Sequence, residues 1–203
     1  MRYGVTVVKD YGEYFNIVNI EPESNIYGPG KRFVIWVQGC SLACKECWNQ
    51  KMWSESPQTI LHREVLLETI LNTDGIRGVT LLGGEPLEQQ VNLFWLLGKI
   101  REKSDLTIFV FSGYELDEIA LLGASDDLQK LCDMIAIGCY RQSYRNVDQQ
   151  WIGSSNQSVM YPNGSRETGL PQKLYQVEII IDDNVSLSIT CFPDDDLVKA
   201  IMD

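Results

Sequence analysis

A single histidine, His62, stands in 203 residues. That scarcity excludes a metal centre or oxygenase built from several imidazoles, and any Ser-His-Asp arrangement is confined to that one ring. Positive charge is also short. The 17 Lys and Arg face 28 Asp and Glu, a formal charge of -11, so no basic face is expected to hold a phosphate backbone and nucleic acid is set aside as a partner. Long apolar runs are missing too: Phe33 to Val37 falls far short of the roughly 20 residues that cross a bilayer, and no membrane span is expected. The opening stretch MRYGVTVVKDYGEY has neither an extended apolar core nor a small-residue cleavage pattern, which makes a cytoplasmic location the expectation. Cysteine, six in all, is too sparse for a disulfide scaffold. Yet three of the six, Cys40, Cys44 and Cys47, fall within eight residues, and clustering on that scale points to a metal. The apolar share of 44% and charged share of 22% are those of a globular chain of about one domain.

The pattern along the chain alternates between strand and helix. Val5 to Val8 and Phe15 to Ile20 read as an opening hairpin around Lys9-Asp10-Tyr11-Gly12, followed by a Gly28-Pro29-Gly30 turn. Phe33 to Val37 has the continuous apolar character of a strand buried on both faces. A helix is expected over Ile60 to Leu71, a strand over Gly78 to Leu82, a helix from about Leu87 to Lys103 and a strand over Leu106 to Phe111. Helices near Glu115 to Leu122 and Asp126 to Cys132 precede a strand at Met134 to Ile137. Such alternation predicts an α/β fold, a parallel sheet or partial (β/α) barrel, with chemistry at the C-terminal strand ends. Tyr140 to Gly169 is polar and reads as a long functional loop. A β-hairpin, Tyr175 to Ile181 and Val185 to Thr190 around Asp182-Asp183-Asn184, and a helix over Asp194 to Met202 close the chain. Residues 1–169 are thus expected to form the main domain, with 170–203 as an extension packed on it.

Cys40-Ser-Leu-Ala-Cys44-Lys-Glu-Cys47 places three thiolates in one loop directly after the first buried strand. Structural zinc takes four protein ligands, so three cysteines without an adjacent fourth favour an iron–sulfur cluster with one iron open. The alternative is zinc completed by Cys132, Cys139, Cys191 or His62; otherwise those remaining cysteines are buried or incidental thiols. Gly83-Gly84-Glu85-Pro86 follows the second strand and by itself reads first as a tight turn with an acid in the first helical turn.

Taken together and in order, the triad and this segment resemble the radical S-adenosylmethionine (SAM) superfamily. Further stretches resemble the activating enzymes of glycyl-radical enzymes, most closely those of anaerobic ribonucleotide reductases. These are Gly28-Pro29-Gly30-Lys31-Arg32, Cys47-Trp48-Asn49, Phe111-Ser112-Gly113-Tyr114 and Gly153-Ser154-Ser155-Asn156-Gln157. The resemblance covers roughly residues 14–160. It implies that Cys40, Cys44 and Cys47 ligate a [4Fe-4S] cluster whose fourth iron SAM chelates. It further implies that Gly83, Gly84 and Glu85 hold the methionine end of SAM, that Trp48 lies against the adenine, and that Ser112 and Gly113 meet the carboxylate or ribose. Ile137 and Ile152 depart from the family pattern, which has Asp and Arg there.

The implied activity is reductive cleavage of SAM to methionine and a 5′-deoxyadenosyl radical, which takes a hydrogen from a glycine of a partner glycyl-radical enzyme. The cofactors carry this chemistry, so no side-chain acid or base is required. A flavodoxin or ferredoxin is the implied reductant. Two other readings stand beside this one: a radical SAM enzyme acting on a different peptide or small molecule, and a non-enzymatic metal-binding interaction module.

Overall fold

The computed structural model describes residues 8–146, 148–167, 177–181 and 187–191. Nine strands and four α-helices are present among them. The strands are β1 (Tyr14–Ser24), β2 (Arg32–Val37), β3 (Thr59–His62), β4 (Gly78–Gly83), β5 (Thr107–Phe111), β6 (Met134–Ile137), β7 (Ser158–Met160), β8 (Val177–Ile181) and β9 (Leu187–Cys191). The helices are α1 (Arg63–Leu71), α2 (Gln90–Lys103), α3 (Leu116–Leu121) and α4 (Ser125–Leu131). Seven strands form one mixed sheet in the order β3-β1-β2-β4-β5-β6-β7. Its centre is parallel, with β2, β4, β5 and β6 side by side; β1, β3 and β7 join antiparallel. The fold is therefore mixed α/β with a parallel core, as the alternation of strands and helices predicts.

Every residue of β2 is buried, which is what a strand covered on both faces requires of its sequence. Helix α2 buries Leu93, Leu96, Leu97 and Ile100 at the i, i+3, i+4, i+7 spacing of one helical face. These side chains join Phe33, Ile35, Val79, Leu81, Ile108 and Val110 in the main core. A fully buried aliphatic side chain of this kind contributes about 1.5–3 kcal/mol.

Four local expectations are corrected. Ile60 lies in β3, where it pairs with Asn16, and the helix starts only at Arg63. The His62 side chain accepts from the Glu64 amide and caps it. The stretch after Glu85 opens as a 3-10 turn, Pro86–Gln89, before α2 begins at Gln90. The opening strand pairs with β2 and β3; Val8 lies in no strand, and Val5 to Val7 fall outside the described residues. The polar stretch after Tyr140 is not all loop, because Ser158–Met160 pairs along β6. The expected C-terminal hairpin is present as the antiparallel pair β8–β9, and the Ser24 hydroxyl donates to Glu178 at 2.6 Å. Its turn and the helix expected over Asp194 to Met202 lie outside the described residues. No described helix is long and apolar enough to cross a membrane.

Candidate metal centre

Parallel pairing of β2, β4, β5 and β6 brings four loops to one end of the sheet, those that follow Val37, Gly83, Phe111 and Ile137. Three of the four carry the motifs singled out in the sequence. Together they wall a cavity of about 430 Å³ that is lined by Cys40, Cys44, Cys47, Trp48, Gly83, Gly84, Glu85, Ser112 and Gly113, among others. Every site residue expected from the sequence therefore faces one space.

The cysteine loop is pinned at both limbs. The amides of Gly39 and Cys40 donate to the carbonyls of Met52 and Trp53 at 2.9 and 3.2 Å. Ser41 gives its amide and its hydroxyl to the same oxygen of Glu88, at 2.7 and 2.6 Å. Ala43 and Glu46, immediately before Cys44 and Cys47, both hold left-handed backbone, with φ of 42° and 64°. For residues with a side chain this costs about 1–3 kcal/mol each, so the surrounding bonds must over-determine the loop. The Cys47 amide closes a turn onto the Cys44 carbonyl, and the Asn49 amide donates to the Cys47 sulfur at 3.3 Å.

At Gly84 and Glu85 the turn after β4 meets the cysteine loop through backbone. The amides of Gly84 and Glu85 donate to the carbonyls of Val37 and Gly39, each at 2.8 Å. A Cβ on Gly84 would collide with the Gly39 carbonyl, so glycine is required there by close approach. Glu85 then brackets the next loop: it accepts from the Ser112 hydroxyl at 3.0 Å, the Gly113 amide at 2.8 Å and the Leu87 amide at 3.0 Å. Burial pushes the Glu85 carboxyl up to about 8, against the pull of those three donors. Burial and, after it, the Glu85 charge push the Cys40 thiol up to about 12.

Trp48 stands at the cavity wall, 50% exposed. Its indole N–H donates to the Tyr140 hydroxyl at 3.4 Å, and the Arg145 guanidinium lies 5.2 Å from its ring centroid. The Gly153–Gln157 motif is a brace for the end of β6. The Gln157 side chain donates to the Gly138 carbonyl at 2.8 Å while accepting from the Gly153 and Ser154 amides, and Asn156 donates to the Cys139 carbonyl at 2.9 Å. Ile137 and Ile152 are buried in the core, and neither lines the cavity. Tyr114 is buried, and its hydroxyl reaches Glu88 at 3.4 Å.

Glu88, Tyr140 and Arg145 escaped sequence reasoning. The only trace of Glu88 is an acid three residues after Glu85 that a solvent-facing helix would equally explain. The pairing of Cys139 also escaped it: its sulfur is bonded to that of Cys44, with Cα atoms 6.4 Å apart. Cys40 and Cys47 are free and half-buried, and Cys132 is a free, buried thiol. In this oxidised form no three Cys, His, Asp or Glu side chains converge on a metal among the described residues. The donor set nevertheless fits an iron–sulfur cluster once Cys44 is reduced: three thiols of one loop face a single cavity whose far wall is glycine backbone. Neither His62 nor Cys132 lines that cavity, which leaves a zinc site without either as its fourth ligand.

A family model described as a 4Fe-4S single cluster domain matches residues 26–160. The chain is 34% identical over 157 residues to the anaerobic ribonucleoside-triphosphate reductase-activating protein of Haemophilus influenzae, a match that spans 71% of this chain and 96% of that protein. It is 31% identical to the protein of the same name from Escherichia coli K12, over 74% of this chain and 97% of the relative. The phage T4 protein of that name is 31% identical over 71% and 92%.

Proposed function

This chain belongs to the anaerobic ribonucleoside-triphosphate reductase-activating proteins, and on that premise we propose that it is a radical SAM enzyme that generates the glycyl radical of an anaerobic ribonucleotide reductase. The observation that carries the reading is the gathering of Cys40, Cys44, Cys47, the Gly83-Gly84-Glu85 turn and Ser112-Gly113 around one cavity at the C-terminal ends of β2, β4 and β5. A [4Fe-4S] cluster and SAM, when bound, supply the chemistry: one-electron cleavage of the sulfonium, ending in removal of a hydrogen from a glycine of the partner.

The chain's own residues bind and orient. Cys40, Cys44 and Cys47 hold the metal, and the Asn49 amide steadies the Cys47 sulfur. Gly83 and Gly84 present backbone without side chains, which suits the methionine end of SAM. Glu85 already fills one carboxylate oxygen with two donors but the other with only one, leaving a lone pair for an ammonium group. A cation bound there favours the ionised carboxylate, offsetting the burial that raises it. Ser112 and Gly113 supply a hydroxyl and an amide edge, and Trp48 supplies a face for the adenine. Residues 1–169 act as the partial-barrel catalytic domain and 170–203 as an extension on it, with a flavodoxin or ferredoxin as electron donor in the cytoplasm. Of the three features that raise another substrate, Ile137, Ile152 and the C-terminal extension, the first two lie off the cavity wall and lend it no support.

The test is anaerobic reconstitution with iron and sulfide, reduction with dithionite in the presence of SAM, and chromatography for 5′-deoxyadenosine, followed by spin resonance of the partner reductase. Deoxyadenosine that disappears in Cys47→Ala, together with a glycyl radical on the partner, is the expected result. A colourless protein that binds zinc and makes no deoxyadenosine overturns the reading.

A further inference from the structure

The triad cysteine Cys44 is joined to a cysteine 95 residues away that belongs to no motif. Cys139 sits just beyond β6, on the fourth strand end that borders the cavity. Its position is built rather than incidental: the Gly138 and Cys139 carbonyls are held by Gln157 and Asn156, and the Gly138 amide donates to Tyr114. The Cα separation of 6.4 Å falls within the range of about 4.4–6.8 Å that a disulfide spans without backbone movement. The joined cysteines are 7% and 8% exposed. Cys40 and Cys47, in the same loop, stay free.

We infer that Cys139 is a redox-modification site, a resolving thiol that captures Cys44 when the metal is absent and releases it on reduction. This rests on the proposed role of Cys44 as a cluster ligand. With peroxide as oxidant the step balances: Cys44 attacks one peroxide oxygen to give a sulfenic acid and one water. The Cys139 thiol then displaces the hydroxyl as a second water, so two thiols and one peroxide become a disulfide and two waters. The bond leaves two free thiols in the loop, too few to hold a four-iron cluster, so the oxidised chain refuses metal. It also stops Cys44 at a reversible stage, short of the sulfinic acid that cannot be reduced by thiols.

The full chain, stripped of iron anaerobically, is divided, and one half is treated with hydrogen peroxide. Both halves are alkylated and digested without reductant for mass spectrometry. Parallel samples are titrated with cobalt(II), whose thiolate charge-transfer band reports the metal site independently of activity. The expected result is a Cys44–Cys139 cross-linked peptide only in the treated half, loss of the cobalt band, and its recovery with a phosphine reductant. In Cys139→Ser the same treatment is expected to abolish the band without recovery, and a Cys132→Ser control is expected to match the wild type. A treated wild type in which Cys44 is sulfinic, or joined to Cys40 or Cys47, overturns the proposal, as does equal recovery in Cys139→Ser. If Cys139→Ser does not fold, the cross-linked peptide of the wild type decides alone. Failure of the fully reduced wild type to bind cobalt or a cluster counts against the proposed function instead, and the peptide map still judges the cysteine pair.

Discussion

The two ends of the parallel sheet are built on opposite plans. At the ends where the strands begin, buried charges interlock. Arg32 is fully buried and donates to the Thr80 and Thr107 hydroxyls at 2.6 and 2.9 Å and to the carbonyls of Val79 and Thr107. Glu167 accepts from Thr107 and from both sides of the Arg77 fork. Asp133 accepts from the Ile108 and Arg166 amides and pairs with Arg101. At the ends where the strands finish, glycine backbone, thiols and aromatic side chains line the cavity, and Ala43 and Glu46 in the cysteine loop hold left-handed backbone. One oxygen of Glu88 is buried there without a partner. Stability is concentrated where every buried charge is answered, and chemistry where groups are left to meet a ligand. Arg32 teaches the point most directly: it stands in the Gly28–Arg32 stretch that carries part of the family resemblance, yet it braces the end of the sheet away from the cavity.

The sharpest way to test this division is to damage each end and ask what is lost. Cys47→Ala should reduce deoxyadenosine formation to background while moving the unfolding free energy of the metal-free chain by no more than about 0.5 kcal/mol, as denaturant titration can check. Arg32→Met should do the reverse. It leaves Glu167 and two threonines with less than their share of donors and should cost about 3–5 kcal/mol in the same titration, with turnover per folded molecule preserved. Gly84→Ala should blur the division, because its Cβ meets the Gly39 carbonyl where the two loops touch. An overpacking cost of about 1–3 kcal/mol, accompanied by lower iron content after reconstitution, is expected.

The charged end should also declare itself in acid. Burial raises the Asp133 carboxyl, but the bonds from Arg166 and Ile108 and the Arg101 charge outweigh it and hold the group below the ordinary carboxylate range. Its contribution is then present above the unfolded value of about 3.9 and is lost as pH falls through the lower folded value. Urea midpoints measured from neutral pH into that window should fall less steeply in Asp133→Asn. The smallest effect belongs to Trp48→Leu, which removes an aromatic face at the cavity wall. About 0.5–1.5 kcal/mol of stacking corresponds to a rise in the KM for SAM of about 2–13-fold, with kcat little changed.

Much of this architecture was legible because its signals are local. The strand after the Gly-Pro-Gly turn shows as an unbroken apolar run, α2 as a helical stretch between two strands, and the cysteine loop as three thiols at short spacing. Ile60 was misassigned because four residues of β3 run straight into α1, and an apolar residue just ahead of a helix fits either period. The pairing of β1 with β2 and β3 was not legible, because antiparallel pairing over so short a stretch carries no mark of which neighbour it joins. The Gly153–Gln157 motif was visible as a motif, but its work as a brace for the end of β6 was not.

What the sequence determined by itself is most of the elements and the clustering of thiols in the cysteine loop, because periodicity and residue spacing are properties of neighbouring residues. What only the tertiary structure decided are the pairings across the chain: Ser41 with Glu88, Thr107 with Glu167, and Cys44 with Cys139, separated by 47, 60 and 95 residues. Such contacts depend on which strands lie side by side, and strand order is set by the burial of a whole sheet rather than by any segment's own pattern.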